Sequence, residues 1–280
     1  MSEWAVILGA SSGTGAAVAK AVARAPGLNI FGAHRGRYQE GADAVSAAVE
    51  AAGRRAVMWQ GDAGNYEGAQ AGADALAEAI GDGKVRLFMH SIACASVGQL
   101  AAGDVLHPKQ IAKTFDAMAH SFVWWSRALV ERGLLADGAR LLGLTNPLHT
   151  THLHNTGAIS ASKAALEMYI RHLAIELGPR GYRVNLLKFG TVMTAALNHV
   201  YTDEALARLE ADHRRINTTG TMCTVDEVGK FVALLLDEAA DWFSGATIDF
   251  TGGMNLKLLD VVLNPDRHPV RHGTPHREAV

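Results

Sequence analysis

A strand-length apolar run, AVILGA at residues 5–10, passes through the turn GASSGTG straight into the alanine-rich stretch AAVAKAVA, and few folds accept such a junction. Gly9, Gly13 and Gly15 leave the backbone bare where strand gives way to helix, so amide groups and the positive end of the helix can approach an anion. A pyrophosphate is the anion that a strand, glycine turn and helix in this order commonly hold.

The rest of the chain repeats the pattern. Strand-length apolar runs AVILGA (5–10), NIFGAH (29–34), AVMWQGD (56–62), VRLFMHS (85–91), ARLLGLT (139–145), RVNLLKF (183–189) and ATIDFTG (246–252) alternate with segments of helical period. Such alternation predicts an α/β architecture, a doubly wound Rossmann fold whose seven-stranded parallel sheet carries helices on both faces. With 280 residues and 49% hydrophobic content, the expected organisation is one dinucleotide-binding domain over 1–263 and an extended or disordered tail over 264–280. Within that domain, 190–220 reads as a substrate lid whose amphipathic DEALARLEADHRRI starts behind a cap at Thr202 or Asp203.

Composition excludes several classes of function. The 26 basic and 28 acidic residues are dispersed, with no dense basic run, so nucleic acid is not an expected partner. Cys94 and Cys223 form no CxxC spacing, which argues against a disulfide framework and a zinc site. The opening apolar run is too short to span a membrane, and the expected location is cytoplasmic. Small molecules are the expected partners.

About 20 residues past the glycine turn, where an NAD site keeps an acid for the ribose hydroxyl, stands GAHRGRY with Arg35 and Arg37. Guanidinium groups pair bidentately with phosphate, so NADP(H) is the preferred cofactor, with NAD(H) the alternative. Two solvated arginines at a strand exit would read the same. Asp62 is placed to accept from an adenine amino group, and a turn-forming Asp is the other reading.

Five ordered motifs, GASSGTG, GD at 61–62, SASKAAL around Lys163, GYRVNLLKFGTVMT and IDFTGGM, make the chain resemble the short-chain dehydrogenase/reductase family over about residues 4–256. FMHSIACA, AHSFVWW and LLGLTN look like its enoyl-thioester reductases, while RHLAIELGP is similar to dienoyl-CoA reductases. The resemblance implies that Gly9, Ser11, Ser12, Gly13, Gly15, Arg35, Asp62, Ala63, Ser91, Ile92, Ala93, Lys163, Gly190, Thr191, Val192 and Thr194 contact the cofactor. His90 and Ser91 read as cofactor-contacting backbone and side chain at a strand end. It further implies a homodimer or homotetramer built on helices around 109–133 and 157–178, and a CoA or acyl-carrier-protein thioester as substrate.

The chain departs from the family at its phenol. The position four before Lys163 holds Ile159, the one seven before holds Thr156, and the second tyrosine of the enoyl reductases aligns with Asn146. Tyr38, Tyr66, Tyr169, Tyr182 and Tyr201 all lie elsewhere, and only Tyr201 on the presumed lid is placed to swing in. An alkoxide made by ketone reduction needs an acid at once, whereas C=C reduction next to a carbonyl leaves a far less basic enolate that neutral donors stabilise. The expected activity is therefore NADP(H)-dependent reduction of a C=C bond conjugated to a thioester or ketone. Its catalytic residues would be Lys163, Thr145 and His154. Lys163 would grip the nicotinamide ribose, Thr145 would donate to the substrate oxygen, and His154, from NPLHTTHLHNT, would supply the proton. The bland readings are a β-branched strand residue for Thr145 and a solvated loop histidine for His154. His149, His152 and His154 share no regular scaffold, so no metal is expected. Carbonyl reduction with a histidine acid, and a catalytically silent dinucleotide binder, are the competing readings.

Overall fold

A computed structural model describes residues 2–194 and 202–269, with the backbone alone at His149. Seven strands form one sheet: β1 (Glu3–Leu8), β2 (Asn29–His34), β3 (Ala56–Gln60), β4 (Lys84–His90), β5 (Leu135–Thr145), β6 (Arg183–Phe189) and β7 (Thr247–Phe250). They are hydrogen-bonded in the order β3-β2-β1-β4-β5-β6-β7, every neighbouring pair parallel. This is the doubly wound sheet expected from the sequence.

Because successive strand residues point to opposite faces, each strand feeds two cores. On one face Val6, Leu8, Phe88 and Leu141 pack with α3 (Tyr66–Ile80), α5 (Ser121–Glu131) and α6 (Gly157–Leu177). On the other, Ala5, Ile7, Met89 and Leu142 meet α1 (Gly13–Arg24), α2 (Gln39–Ala51) and α8 (Val225–Leu234). The run FVWW divides between environments: Phe122 and Trp125 are fully buried, while Trp124 is half-buried with its ring edge-on to Tyr66. Trp125 donates from Nε1 to the Ala63 carbonyl, a packing role rather than a ligand contact.

Two boundaries moved for physical reasons. β1 stops at Leu8 because Gly9 turns the chain at φ +81°. β5 begins at Leu135, four residues early, since the polar ADG segment is an irregularity within the strand, where pairing shifts from Val85↔Leu135 to Leu87↔Arg140. Between α4 (Pro108–Phe115) and α5 the helix widens to a π turn over Asp116–His120. The presumed lid contains α7 (Asp203–Ile216), capped by Thr202 as expected, with His213, Arg214 and Arg215 in its last turn. Its return is tied to the exit of β7, where Thr218 donates from both its amide and its hydroxyl to the Gly252 carbonyl.

A short helix, α9 (Leu258–Leu263), and a turn at Pro265–Arg267 follow, and the His268 ring bonds to Asp260. Tyr201, His272 and His276 lie outside the described residues. Among the described residues no helix is long and apolar enough to cross a membrane.

Candidate active site

The chain runs β1, β2, β3 outward and then returns to place β4 on the other side of β1, so the carboxyl ends of β1 and β4 open a crevice at the reversal. Gly9 leaves β1 there with its amide bonded to the Ala33 carbonyl, and Ser91 leaves β4 with its amide on the Leu8 carbonyl. The three segments meet almost without side chains. A Cβ on Gly9 would stand 2.4 Å from the Ser91 oxygen, and one on Gly15 would stand 2.2 Å from the Gly9 oxygen.

Ser12 occupies the N-cap of α1 with no side-chain cap bond, which leaves first-turn amides aimed at the crevice. At Gly13 the absent Cβ faces only the Thr194 side chain, at 3.4 Å, so the turn and the loop after β6 form an open cradle. That loop carries Gly190, Thr191, Val192 and Thr194, with Val192 anchored in the core. Bare backbone, free amides and a cradle at one helix start fit a dinucleotide pyrophosphate.

Beside the turn lies a cavity of ≈ 280 Å³ whose lining includes Arg35, Asp62, Asn65, Cys94, Lys113 and Asp116. Arg35 is exposed at the end of β2, where the Gly36 amide donates to Nδ1 of buried His34. Asp62 Oδ1 accepts from the Gly64 amide in a turn, and the residue also lines the cavity. Ala63 is buried, and Ser91, Ile92 and Ala93 follow β4 along the crevice. Lys113 and Asp116 were missed from the sequence. The helix that carries Lys113, α4, starts behind a capping box of His107 and Gln110.

At the other end, α6 turns a buried stripe to the sheet: Ala158, Ser162, Lys163, Leu166, Ile170, Ala174 and Leu177. This is the i, i+3, i+4 spacing of a core-facing helix, with a lysine standing in it. Lys163 is only 7% exposed, and its Nζ donates to the Leu144 carbonyl at 2.8 Å. Burial lowers its pKa to about 8. An ammonium has three donors, and among the described residues this bond occupies one of them. Thr145, the last residue of β5, is buried next to that carbonyl, its hydroxyl weakly held by the Asn146 carbonyl at 3.4 Å. Lys163 and Thr145 are thus brought together by β5.

The histidines are placed less simply. His154 is exposed in the turn before α6, and no described hydrogen bond joins it to Lys163 or Thr145. Seven residues before Lys163, Thr156 is buried and its hydroxyl donates to the Leu153 carbonyl. His90 is the last residue of β4. Its ring turns into the core, where Nε2 meets Ser121 Oγ at 2.8 Å, and Ser121 bonds the Ala117 carbonyl at 3.0 Å inside the π turn. Burial, with the Lys163 charge assisting, depresses the His90 pKa to about 3. His90 is therefore neutral, and its Nδ1 is buried without a partner.

Four tyrosines are described. Tyr38 is exposed before α2, Tyr66 packs on Trp124, Tyr169 bonds His120 Nδ1 at 3.1 Å, and Tyr182 lies under Arg180 before β6. None of these contacts joins the Lys163 cluster.

A doubly wound sheet with a glycine cradle at its reversal and a buried lysine at the end of β5 defines a dinucleotide-binding oxidoreductase of the short-chain dehydrogenase/reductase class. Residues 9–255 match the family model described as enoyl-(acyl carrier protein) reductase, and the chain belongs to that family. It is 26% identical over 254 residues to 1-cyclohexenylcarbonyl-CoA reductase of Streptomyces collinus, covering 90% of this chain and 86% of that protein. It is 28% identical over 177 residues to the enoyl-[acyl-carrier-protein] reductase [NADH] of Escherichia coli, covering 62% of this chain and 65% of that one. A short-chain dehydrogenase of Burkholderia cenocepacia, solved in complex with NADP, superposes with a TM-score of 0.77 at 28% identity, covering 89% of this chain and 96% of that one.

Proposed function

We propose that this chain is an NADP(H)-dependent reductase of a C=C bond conjugated to a thioester or ketone, acting on a CoA or acyl-carrier-protein thioester. The observation that carries the reading is the Lys163–Leu144–Thr145 cluster: a buried ammonium with one hydrogen bond among the described residues beside a strand-end hydroxyl, with Tyr66, Tyr169 and Tyr182 engaged elsewhere and Tyr38 exposed before α2. Such a site stabilises a weakly basic enolate better than it protonates an alkoxide. The relatives that act on a cyclohexenylcarbonyl-CoA and on an enoyl thioester support the same chemistry.

Gly9, Ser11, Ser12, Gly13 and Gly15 would hold the pyrophosphate. Arg35, Asp62, Ala63, Ser91, Ile92 and Ala93 would line the adenosine side, and Gly190, Thr191, Val192, Thr194 and Lys163 the nicotinamide side. When bound, the nicotinamide supplies hydride. Lys163 orients the ribose hydroxyls and lends charge, Thr145 donates to the substrate oxygen, and His154, open to solvent, brings the proton. The segment 190–220 would close as a lid. Met168 and Ile175, exposed on the outer face of α6, support a homodimer or homotetramer built on that helix.

The test offers NADPH with crotonyl-CoA, a panel of enones and a panel of isolated ketones, following cofactor absorbance. Consumption with the first two and none with ketones is the expected result. Turnover of ketones alone would replace the reading by carbonyl reduction, and cofactor binding without any turnover would replace it by a silent binder. Replacing His154 by Ala is expected to slow turnover with NADPH affinity retained, and an unchanged rate removes the histidine from the mechanism.

Arg35 decides the cofactor. Charge-assisted hydrogen bonds contribute about 1.5–3 kcal/mol, so Arg35→Ser is expected to weaken NADPH binding by about 10- to 100-fold. NADH binding should be little changed. Equal loss with both cofactors would sink the NADP(H) assignment.

A further inference from the structure

Three strands end in a row of polar side chains on the face that carries α6. In β5 Leu141 belongs to the core under α6, so Thr145, four residues on, shares its face, as does Lys188 two residues past Leu186 of β6. On β7 the Thr247 hydroxyl donates to Glu167 of α6, which puts Asp249 on that face as well. The register pairs Thr145 with Lys188 and Lys188 with Asp249, on strands about 4.8 Å apart.

The Lys188 side chain is only 22% exposed, and its Nζ pairs with Asp249 Oδ2 at 2.6 Å, while Asp249 Oδ1 accepts from the amide and the hydroxyl of Thr251. The pair is thus a dipole fixed across the strand ends, its positive end toward Thr145 and its negative end on the edge strand. Docking that edge strand is the plain role of a cross-strand pair. Its polarity, one strand from Thr145, gives it a second. Thr145 can donate to a substrate oxygen only when its hydrogen points there, and its bond to the Asn146 carbonyl, at 3.4 Å, is too long to fix the hydroxyl. A cation on the β6 side draws the oxygen lone pairs toward itself and turns the hydrogen away. The same charge favours an enolate over the neutral carbonyl from which it forms.

We propose that Lys188 is a positioning residue for the reduction. It acts through Thr145, orienting the hydroxyl and adding positive potential where negative charge gathers on the substrate oxygen. Asp249 holds the cation in place and offsets part of its field. The inference rests on the reductase reading and adds a claim about sign: in the absence of the lysine, the aspartate charge works against turnover.

The experiment measures kcat and KM for crotonyl-CoA with NADPH in the full chain, and the melting temperature, for the parent, Lys188→Met, Lys188→Arg and the double variant Lys188→Met with Asp249→Asn. Lys188→Met keeps the stem but leaves the carboxylate unopposed, so kcat should fall about tenfold with KM little changed. Lys188→Arg should restore most of the loss. Adding Asp249→Asn to Lys188→Met should regain about threefold, because asparagine keeps an acceptor for Thr251 while the opposing charge is gone. A pair that only docks β7 gives no such recovery, since breaking it a second time gains nothing. An unchanged kcat in Lys188→Met, or a double variant no faster than Lys188→Met, overturns the inference while the parent's turnover upholds the reductase reading. A parent that reduces neither crotonyl-CoA nor an enone overturns that reading, and the role of Lys188 falls with it.

Discussion

Replacing Lys163 by methionine is expected to cut reductase turnover by about 10²- to 10³-fold, the cost of losing one preorganised donor at a developing oxyanion. Methionine keeps the length and the packing of the buried stripe and removes only the charge and its donors. The same lysine sets a pH limit. Burial holds its pKa at about 8, and the proposed role needs the ammonium, so the parent's rate should fall as pH rises through about 8. A rate that stays flat from pH 7 to 10 would separate Lys163 from the chemistry.

The sign of the stability effect can be checked in the free protein. Between about 8 and the ordinary lysine value of 10.5 the unfolded chain holds a proton that the folded chain has released. Stability therefore rises with pH over that window, because the penalty for burying charge disappears. Cys223 works the other way. Burial and the nearby Glu227 push its thiol up to about 11 from 9.0, so the folded chain keeps a proton that the unfolded one loses. The difference between parent and Lys163→Met melting curves at pH 8 and pH 10 isolates the lysine, and the parent should gain relative to the variant.

Much of this architecture was legible because it is local. The seven apolar runs became seven parallel strands, since period and length record burial on two faces. Lys163 could be singled out because it stands inside SASKAAL, a motif that carries the family resemblance, whereas its place in the core-facing stripe of α6 shows only in the fold. What was missed depends on segments distant in sequence. The π turn at Asp116–His120 accompanies the bond from Ser121 to the Ala117 carbonyl, and Ser121 in turn meets His90 from β4. No pattern within the helix announces that encounter. The burial of His90 depends on the same encounter, with Phe122 edge-on to its ring. Lys113 reads as an ordinary exposed helix lysine until the strand order places α4 across from β2.

The cradle gives the other large effect, and it separates two glycines that the sequence motif treats alike. In Gly15→Ala the new methyl would stand 2.2 Å from the Gly9 oxygen and 2.9 Å from its carbonyl carbon, and both are backbone atoms with no rotamer to yield. The exit of β1 and the start of α1 must then part. Overpacking of this kind costs about 1–3 kcal/mol of stability. Dinucleotide affinity should suffer more, because amides shifted at the helix start no longer converge on one phosphate. A fall of about 100-fold or more is expected. In Gly13→Ala the methyl meets only the Thr194 side chain at 3.4 Å, an ordinary contact, and the remaining cost is the φ of +54°, about 1–2 kcal/mol for a residue with a Cβ. Its binding loss should therefore be the smaller of the two, by tenfold or so given the 1.4 kcal/mol that one decade represents. Fluorescence titration and thermal melting of both variants check the order. Tight NADPH binding by Gly15→Ala would mean that the contact between Gly9 and Gly15 is not what shapes the cradle.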